Sequence, residues 1–167
     1  SAVEEVVSAV DKRSRTDAAV SSIVEALEAH AGSSPERVAI HAGNRTVTYG
    51  DLYERVRGAA ALVRRRGVEP GDRVVISAPS SPAFVIGYLG VHLAGAVAVP
   101  LDPAVTPLRR ESLISRARPR LVYGTAGSTG DAGVLPIAEL EEGCAPTGQL
   151  LAPDPSATAD LLFTTGT

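Results

Sequence analysis

Short, continuous apolar segments alternate with helical patterns along most of this 167-residue chain. The segments RVVISAP (73–79) and AVAVPLDP (96–103) lack the polar alternation of a half-exposed strand, and an apolar helical pattern lies between them. Continuous apolar strands separated by helices are typical of a parallel sheet covered on both faces. The sequence therefore predicts an α/β fold with a parallel-rich sheet and helices on both faces.

A small antiparallel hairpin is expected near residues 37–49, ahead of the sheet. The segments RVAIHAG and RTVTY flank Gly43 and Asn44, a pair that tolerates the positive φ of a tight hairpin turn. Thr48 and Asp51 then have capping-box spacing at the start of a helix, and Gly67 is expected to end that helix.

The remaining elements are predicted from periodicity and from punctuation by proline and glycine. Ser80 or Ser81 is expected to cap a buried helix from Pro82 to about Ala96, and the segment VLPIAEL is expected to be a short strand. The other predicted elements are a helix over 18–31, a helix from Thr106–Pro107 to about Ala117, a strand RLVYGT, a loose loop at 124–133, a connection at 143–158 and a last strand at 160–164. Residues 1–16 are interpreted as a tail or linker, and residues 17–167 as one domain.

Charge and hydropathy exclude several classes of function. The net charge of −3 does not indicate a basic surface for nucleic acid. The cluster RRR at 64–66 lies at a predicted helix C-terminus, where the helix dipole stabilises cations. No segment approaches the roughly 18 apolar residues of a membrane span, and the acidic N-terminus is unlike a secretory signal. The sequence thus predicts a cytoplasmic protein. Its only lysine is Lys12, so a mechanism that needs a core lysine must look outside this chain.

Candidate catalytic and metal-binding residues are few. His30, His41 and His92 share no metal-ligand spacing and are interpreted as packing residues. Cys144, the single cysteine, has no adjacent histidine and is interpreted as a loop residue without a role. The acidic pair Glu141–Glu142 is expected to be solvated charge. The sequence therefore predicts neither a metal site nor a catalytic residue within this chain.

One loop has a physical reason to bind a ligand. FTTGT (163–167) follows the last predicted strand, and ligands bind beyond the carboxyl ends of parallel strands. Because glycine has no side chain, the backbone amides beside it can approach phosphate oxygens closely, and threonine hydroxyls can bind the same oxygens. Thr164, Thr165, Gly166 and Thr167 are therefore candidate phosphate-binding residues, although the pattern alone is more typical of a turn than of a phosphate loop.

The order of several segments carries a resemblance to a known family. The helix IVEALEAHAGSSPERVAI, the segment TVTYGDLYERVRGAAALVRRRGVEPGDRVVI, the segment HLAGAVAVPLDP and the terminal DLLFTTGT are collinear. Together they resemble the opening of the adenylate-forming superfamily: acyl-CoA synthetases, adenylation domains of nonribosomal peptide synthetases and firefly-type luciferases. The resemblance runs from about residue 18 to residue 167.

The resemblance implies ATP-dependent activation of a carboxylic or amino acid. In that family the carboxylate attacks the α-phosphate, pyrophosphate leaves, and a coenzyme A or phosphopantetheine thiol captures the acyl-adenylate, with Mg²⁺ assisting. Thr164, Thr165, Gly166 and Thr167 match the first half of the family's phosphate loop, [YF]-T-[ST]-G-[ST]-T-G-x-P-K-G, whose second half does not follow here. Residues of the two earlier signatures are implied to be structural: Thr48, Tyr49, Asp51 and Leu52 in the first, and Leu93, Ala94, Gly95, Pro100 and Asp102 in the second.

The resemblance also implies an incomplete unit. Relatives are much longer and carry downstream their acid pocket, magnesium ligand and catalytic lysine. The chain is thus expected to be the N-terminal portion of such an enzyme, inactive alone, whose partners are the rest of that enzyme, its acid substrate and a carrier protein. An alternative is a noncatalytic split or truncated module that docks a partner through an uncovered sheet. The composition, rich in alanine and arginine, favours a GC-rich bacterial source.

Overall fold

The computed structural model describes residues 17–125 and 133–145 of the chain. The predicted tail at 1–16, the last strand at 160–164 and the candidate loop Thr164–Thr167 lie outside the described residues. The described elements are α1 (Asp17–Ser33), β1 (Val38–Ala42), β2 (Arg45–Thr48), α2 (Tyr49–Arg65), β3 (Arg73–Ser77), α3 (Pro82–Leu93), β4 (Val97–Pro100), α4 (Pro107–Ala117), β5 (Leu121–Gly124), β6 (Val134–Pro136) and α5 (Ala138–Glu142).

Four of the strands form a parallel sheet in the order β4-β3-β5-β6. The predicted hairpin is confirmed as a separate antiparallel pair, β1 with β2, and Gly43 at its turn has a φ of 61°. The α/β class and the parallel-rich sheet predicted from the apolar segments are therefore correct.

Helices cover both faces of this sheet, as expected, but unequally. Alternate residues of β3 separate the two cores, because successive side chains of a strand point to opposite faces. Val74 and Ile76 belong to the large core formed with α2, α3 and α5. Val75 belongs to a small core with Val99, Leu101, Leu113 and Ala117, in which α4 is the covering helix.

Helices α2 and α3 cross at very short range. Gly90 of α3 lies so close to α2 that a Cβ atom built on it would be 2.5 Å from the Cβ of Ala59. Ala59 and Ala60 are both fully buried at this crossing. Small side chains on both helices therefore set how closely the two can approach.

The ends of α2 and α3 are fixed by capping residues that the sequence identifies. Thr48 caps α2 and accepts a hydrogen bond from the Asp51 amide at 3.2 Å, and Ser81 caps α3 by accepting from the Phe84 amide at 3.2 Å. The predicted end of α3 at about Ala96 is wrong. The helix ends at Leu93, because Gly95 has a φ of 81° and turns the chain into β4.

The arginine cluster at 64–66 lies at the end of α2, as predicted, but its side chains reach other elements. Arg64 donates to the carbonyl of Ala94 at 3.1 Å, which belongs to the end of α3. Arg66 pairs with Glu139 of α5. The cluster therefore joins three elements rather than capping only its own helix.

Helix α5 was not expected, since VLPIAEL predicted only a strand. The strand ends at Pro136, and a five-residue helix follows, with Leu140 fully buried. The expectation of solvated charge at Glu141 is also wrong: its side chain is only 18% exposed and pairs with Arg45 of the hairpin. Tertiary contacts thus stabilise a helix that is too short to show a period.

Candidate functional site

The carboxyl ends of the four parallel strands form one edge of the sheet. Ser77 of β3 is in register with Gly124 of β5, and Gly124 is in register with Pro136 of β6. On the other side of β3, Ile76 is in register with Pro100 of β4. Ligands of parallel sheets bind beyond this edge, so we take it as the candidate functional site.

Ser77 is the polar side chain buried at this edge. The residue is 2% exposed, and its Oγ has no hydrogen-bond partner in the part of the chain that the structure describes. Strand alternation places Ser77 on the same sheet face as Val75, beside Gly124, which has no side chain to fill the adjacent space. A buried hydroxyl without a partner costs about 1–3 kcal/mol, so a polar group arriving here would be stabilising.

Two helix N-termini point to the same edge, because α3 follows β3 and α4 follows β4. At the start of α3, Ser81 accepts a hydrogen bond from a backbone amide. Thr106, the N-cap of α4, makes no side-chain capping hydrogen bond. Helix N-termini carry a partial positive charge that attracts anions. The edge therefore has an electropositive character in the region of α4.

Residues of the two sequence signatures have structural roles in the described geometry. Thr48 and Asp51 form the cap of α2, and Gly95 supplies the positive φ between α3 and β4. Asp102 accepts a hydrogen bond from the Ala104 amide at 2.8 Å and so shapes the turn after β4. None of these contacts requires a ligand, in agreement with the expected structural role.

Among the described residues, two tyrosines have shifted pKa values. Burial raises the pKa of Tyr123 to about 12, with Arg66 lowering it and Glu139 raising it. Burial and the hydrogen bond to Glu28 raise the pKa of Tyr53, which joins α2 to α1. Both phenols stay protonated at neutral pH, and the Tyr123 side chain packs in the large core, on the sheet face opposite Ser77.

The described residues form no cluster of metal-ligating side chains. Within residues 17–125 and 133–145, no three His, Cys, Asp or Glu side chains gather as metal ligands. His92 is buried and packs edge-on against Tyr88, and His30 stacks on Tyr49, so both have the packing role predicted for them. The loop residues Thr164, Thr165, Gly166 and Thr167 lie outside the described part, and their phosphate-binding role stays a prediction.

Sequence reasoning missed two features of this edge. Ser77 lies in an apolar strand, where a single serine gives no signal, and only the structure shows that its hydroxyl lacks a partner. The sequence also gives no sign that the start of α4 lacks a side-chain cap, because Thr106–Pro107 is a normal helix start. Both features depend on the surroundings of a side chain rather than on its type.

Comparisons with known proteins agree with this architecture. The family model described as AMP-binding enzyme matches residues 27–167. The chain is 32% identical over 146 residues, 84% of its length, to the AMB antimetabolite synthetase AmbB of Pseudomonas aeruginosa. It is also 32% identical over 113 residues, 68% of its length, to the isonitrile lipopeptide synthase of Streptomyces coeruleorubidus.

The chain also shares its fold with a solved structure. That structure is the N-terminal subdomain of NpsA from Klebsiella oxytoca in complex with 3-hydroxybenzoyl-AMSN, with a TM-score of 0.73, 26% identity, and coverage of 87% of this chain and 38% of that one. The chain thus spans well under half of that structure, and it spans only 12% of AmbB and 8% of the isonitrile lipopeptide synthase.

Proposed function

The chain belongs to the family of AMP-binding enzymes, as an N-terminal subdomain of an adenylate-forming enzyme, and we propose that it contributes the first half of an ATP phosphate loop to acyl-adenylate formation. The parent enzyme joins a carboxylic or amino acid to AMP and releases pyrophosphate. The acyl group then passes to a thiol of coenzyme A or of phosphopantetheine on a carrier protein. The proposed location of the enzyme is the cytoplasm, and no helix among the described residues has the length and apolarity to cross a bilayer.

One observation carries this proposal: the sequence TTGT, at the end of the region that the family model matches, resembles the first half of the family's phosphate loop. Thr164 and Thr165 supply hydroxyl donors, and Gly166 allows the backbone amides to approach phosphate oxygens closely. Residues 17–167 are proposed to be one unit with this loop at its end, and residues 1–16 a tail or linker.

The described sheet edge supports the proposal by its chemistry. The start of α4 and the hydroxyl of Ser77 favour a polar or anionic neighbour at this edge. The described residues contain no lysine and no cluster of three metal-ligating side chains, and we propose that the lysine and the magnesium ligand of the family come from other parts of the enzyme. We therefore propose that residues 1–167 alone are inactive.

The test is ATP–pyrophosphate exchange with a panel of carboxylic and amino acids, using the protein expressed from its full gene. Thr165→Val removes one hydroxyl that would donate to a charged phosphate, which is worth about 10–100-fold in kcat/KM for ATP. Thr46→Val on the exposed strand β2 is the matched control and should leave exchange unchanged.

Equal rates for the two variants would contradict the role of Thr165. Absence of exchange with every acid would contradict the proposed activity itself. Robust, acid-dependent exchange by residues 1–167 alone would contradict the proposal that this segment is inactive by itself.

A further inference from the structure

Two buried polar atoms without a partner belong to the elements that enclose the small core. The Oγ of Ser77 and the Nε of Arg110 are both buried, and neither has a hydrogen-bond partner in the part of the chain that the structure describes. Ser77 as a whole is 2% exposed. Most buried polar atoms of proteins are hydrogen-bonded, and each exception calls for an explanation.

Helix α4 passes over β3. It connects β4 to β5, and β3 lies between these two strands in the sheet. Leu113 and Ala117 of α4 pack in the small core with Val75 of β3. Arg73, at the start of β3, donates to the Ala117 carbonyl at 3.2 Å. The helix therefore runs antiparallel to β3, with its last turn over the start of the strand.

This arrangement brings Arg110 over Ser77. Arg110 precedes Ala117 by about two turns of helix, so it lies on the same, sheet-facing side and about 10 Å further along the helix. Ser77 lies on the same face of β3 as Arg73 and about 13 Å further along the strand. Because Arg73 contacts Ala117, Ser77 and Arg110 lie at about the same height above the start of β3, under the first turn of α4.

The groups under this turn are hydrogen-bond donors. Arg110 donates from Nη2 to the carbonyl of Pro103 at 2.9 Å, and a guanidinium has no acceptor atom. Thr106 makes no side-chain capping hydrogen bond, so its hydroxyl leaves the first-turn amides of α4 uncapped. The hydroxyl of Ser77 can donate as well. A set of donors that includes a guanidinium disfavours a cation and favours a ligand with several acceptor atoms.

The carboxylates near Arg110 in the sequence do not neutralise it. Glu111 is exposed, and Asp102 is exposed and accepts from a backbone amide. Neither forms an ion pair with Arg110. With Arg109, the segment 102–111 has two arginines and two acids and therefore no net charge. An anion here would be held by the local arrangement of donors rather than by a long-range positive potential.

We propose that Ser77, Arg110 and the first-turn amides of α4 form a binding site for a small tetrahedral oxyanion such as inorganic phosphate. Helix N-termini bind phosphate through their free amides, and an arginine adds charge-assisted hydrogen bonds. Arg110 is only partly buried, so the anion approaches its guanidinium from solvent and has Ser77 at its base. Gly124, in register with Ser77, has no side chain to fill the space beside the hydroxyl. The site requires neither ATP nor an acid substrate, so it does not depend on the proposed function.

The experiment is a calorimetric titration with inorganic phosphate of the protein expressed from its full gene, at an ionic strength held constant with sodium chloride. Ser77→Ala and Arg110→Gln each remove a proposed donor. Ser80→Ala and Arg109→Gln change exposed residues of the same two types and are the matched controls. We expect saturable binding by the wild type, a Kd about tenfold higher in each site variant, and an unchanged Kd in both controls. Phosphate should also slow amide exchange at residues 106–113 of the wild type.

Ser77→Ala separates loss of binding from loss of folding. Without phosphate, removal of a buried hydroxyl that has no partner should raise the Tm. Phosphate should then raise the Tm of this variant less than that of the wild type. A misfolded variant cannot show the first of these effects.

Absence of saturable phosphate binding by the wild type would overturn the inference, and a water molecule or another part of the full protein in the same space would give that result. Equal affinity in the wild type and both site variants would also overturn it. Phosphate held only by the proposed loop would be lost in Thr165→Val and retained in Ser77→Ala, which would overturn this site and not the loop. ATP–pyrophosphate exchange is measured separately, so failure of the proposed function remains distinguishable from failure of this inference.

Discussion

The crossing of α2 and α3 makes a single methyl group at Gly90 destabilising. A Cβ there would lie 2.5 Å from the Cβ of Ala59, 3.2 Å from the amide nitrogen of Ala60 and 3.2 Å from the carbonyl oxygen of Val56. Two of these three atoms belong to the α2 backbone, so no rotamer change relieves the contact. The helices would have to separate.

The expected magnitude follows from two opposing effects. Carbon atoms in contact are about 3.5–4.0 Å apart, so Gly90→Ala creates an overlap of about 1 Å or more. Overpacking of a buried site destabilises a protein by about 1–3 kcal/mol. Replacing glycine by alanine within a helix stabilises that helix by about 1 kcal/mol. We expect a net loss of about 1–2 kcal/mol in the free energy of unfolding.

Gly32→Ala is the matched control, because Gly32 also lies in a helix and a Cβ on it would meet nothing within 4 Å. That variant should be neutral or stabilised by up to about 1 kcal/mol. Urea unfolding followed by far-UV circular dichroism, in the same full-gene background for all variants, measures the difference.

A double variant tests the cause. Ala59→Gly removes the atom nearest to the added methyl, so Ala59→Gly/Gly90→Ala should be more stable than the sum of the single effects. Stability of Gly90→Ala equal to that of Gly32→Ala, or strict additivity in the double variant, would refute the proposed contact.

Two further predictions concern the large core and the last helix. The Oη of Tyr123 is buried without a hydrogen-bond partner among described residues, so Tyr123→Phe should increase the free energy of unfolding by about 1 kcal/mol. Because burial raises the Tyr123 pKa to about 12, above the roughly 10 of an unfolded tyrosine, the unfolded chain loses this proton first as the pH rises. The free energy of unfolding is therefore unaffected by this group below about pH 10 and falls by up to roughly 3 kcal/mol between pH 10 and pH 12. Urea unfolding between pH 8 and 11 should show the decline in the wild type and less of it in Tyr123→Phe; equal slopes would contradict the assignment. Glu139→Gln removes the partner of Arg66 and should speed amide exchange in residues 133–145 with less than about 1 kcal/mol of global destabilisation, whereas unchanged exchange there would mean that apolar contacts alone hold α5.

Local rules predicted the parts of the fold that depend on local chemistry. The cap at Thr48, the proline-led start of α3 and the Gly43 turn each follow from the conformational preference of one or two residues, and all three are correct. The parallel sheet followed from apolar composition, because strands buried on both faces leave no polar alternation.

The errors arose where distant residues decide the structure. Helix α5 has five residues and exists because Leu140 is buried and Glu139 is paired with Arg66. The early end of α3 depends on Gly95 adopting a positive φ inside an apolar run, which hydropathy conceals. At the candidate site, the burial of the Ser77 hydroxyl is a property of packing, and residue type does not indicate it.

The arginines that end α2 impose two kinds of constraint on how this sequence can change. Arg66 binds a carboxylate, so a substitution there strands Glu139 and favours a second, compensating change at the partner position. Arg64 binds a backbone carbonyl, and every residue type at position 94 presents that same oxygen. Arg64 is therefore held in place without restricting the identity of its partner, so covariation would detect the partly exposed Arg66–Glu139 pair and miss the contact between Arg64 and the end of α3.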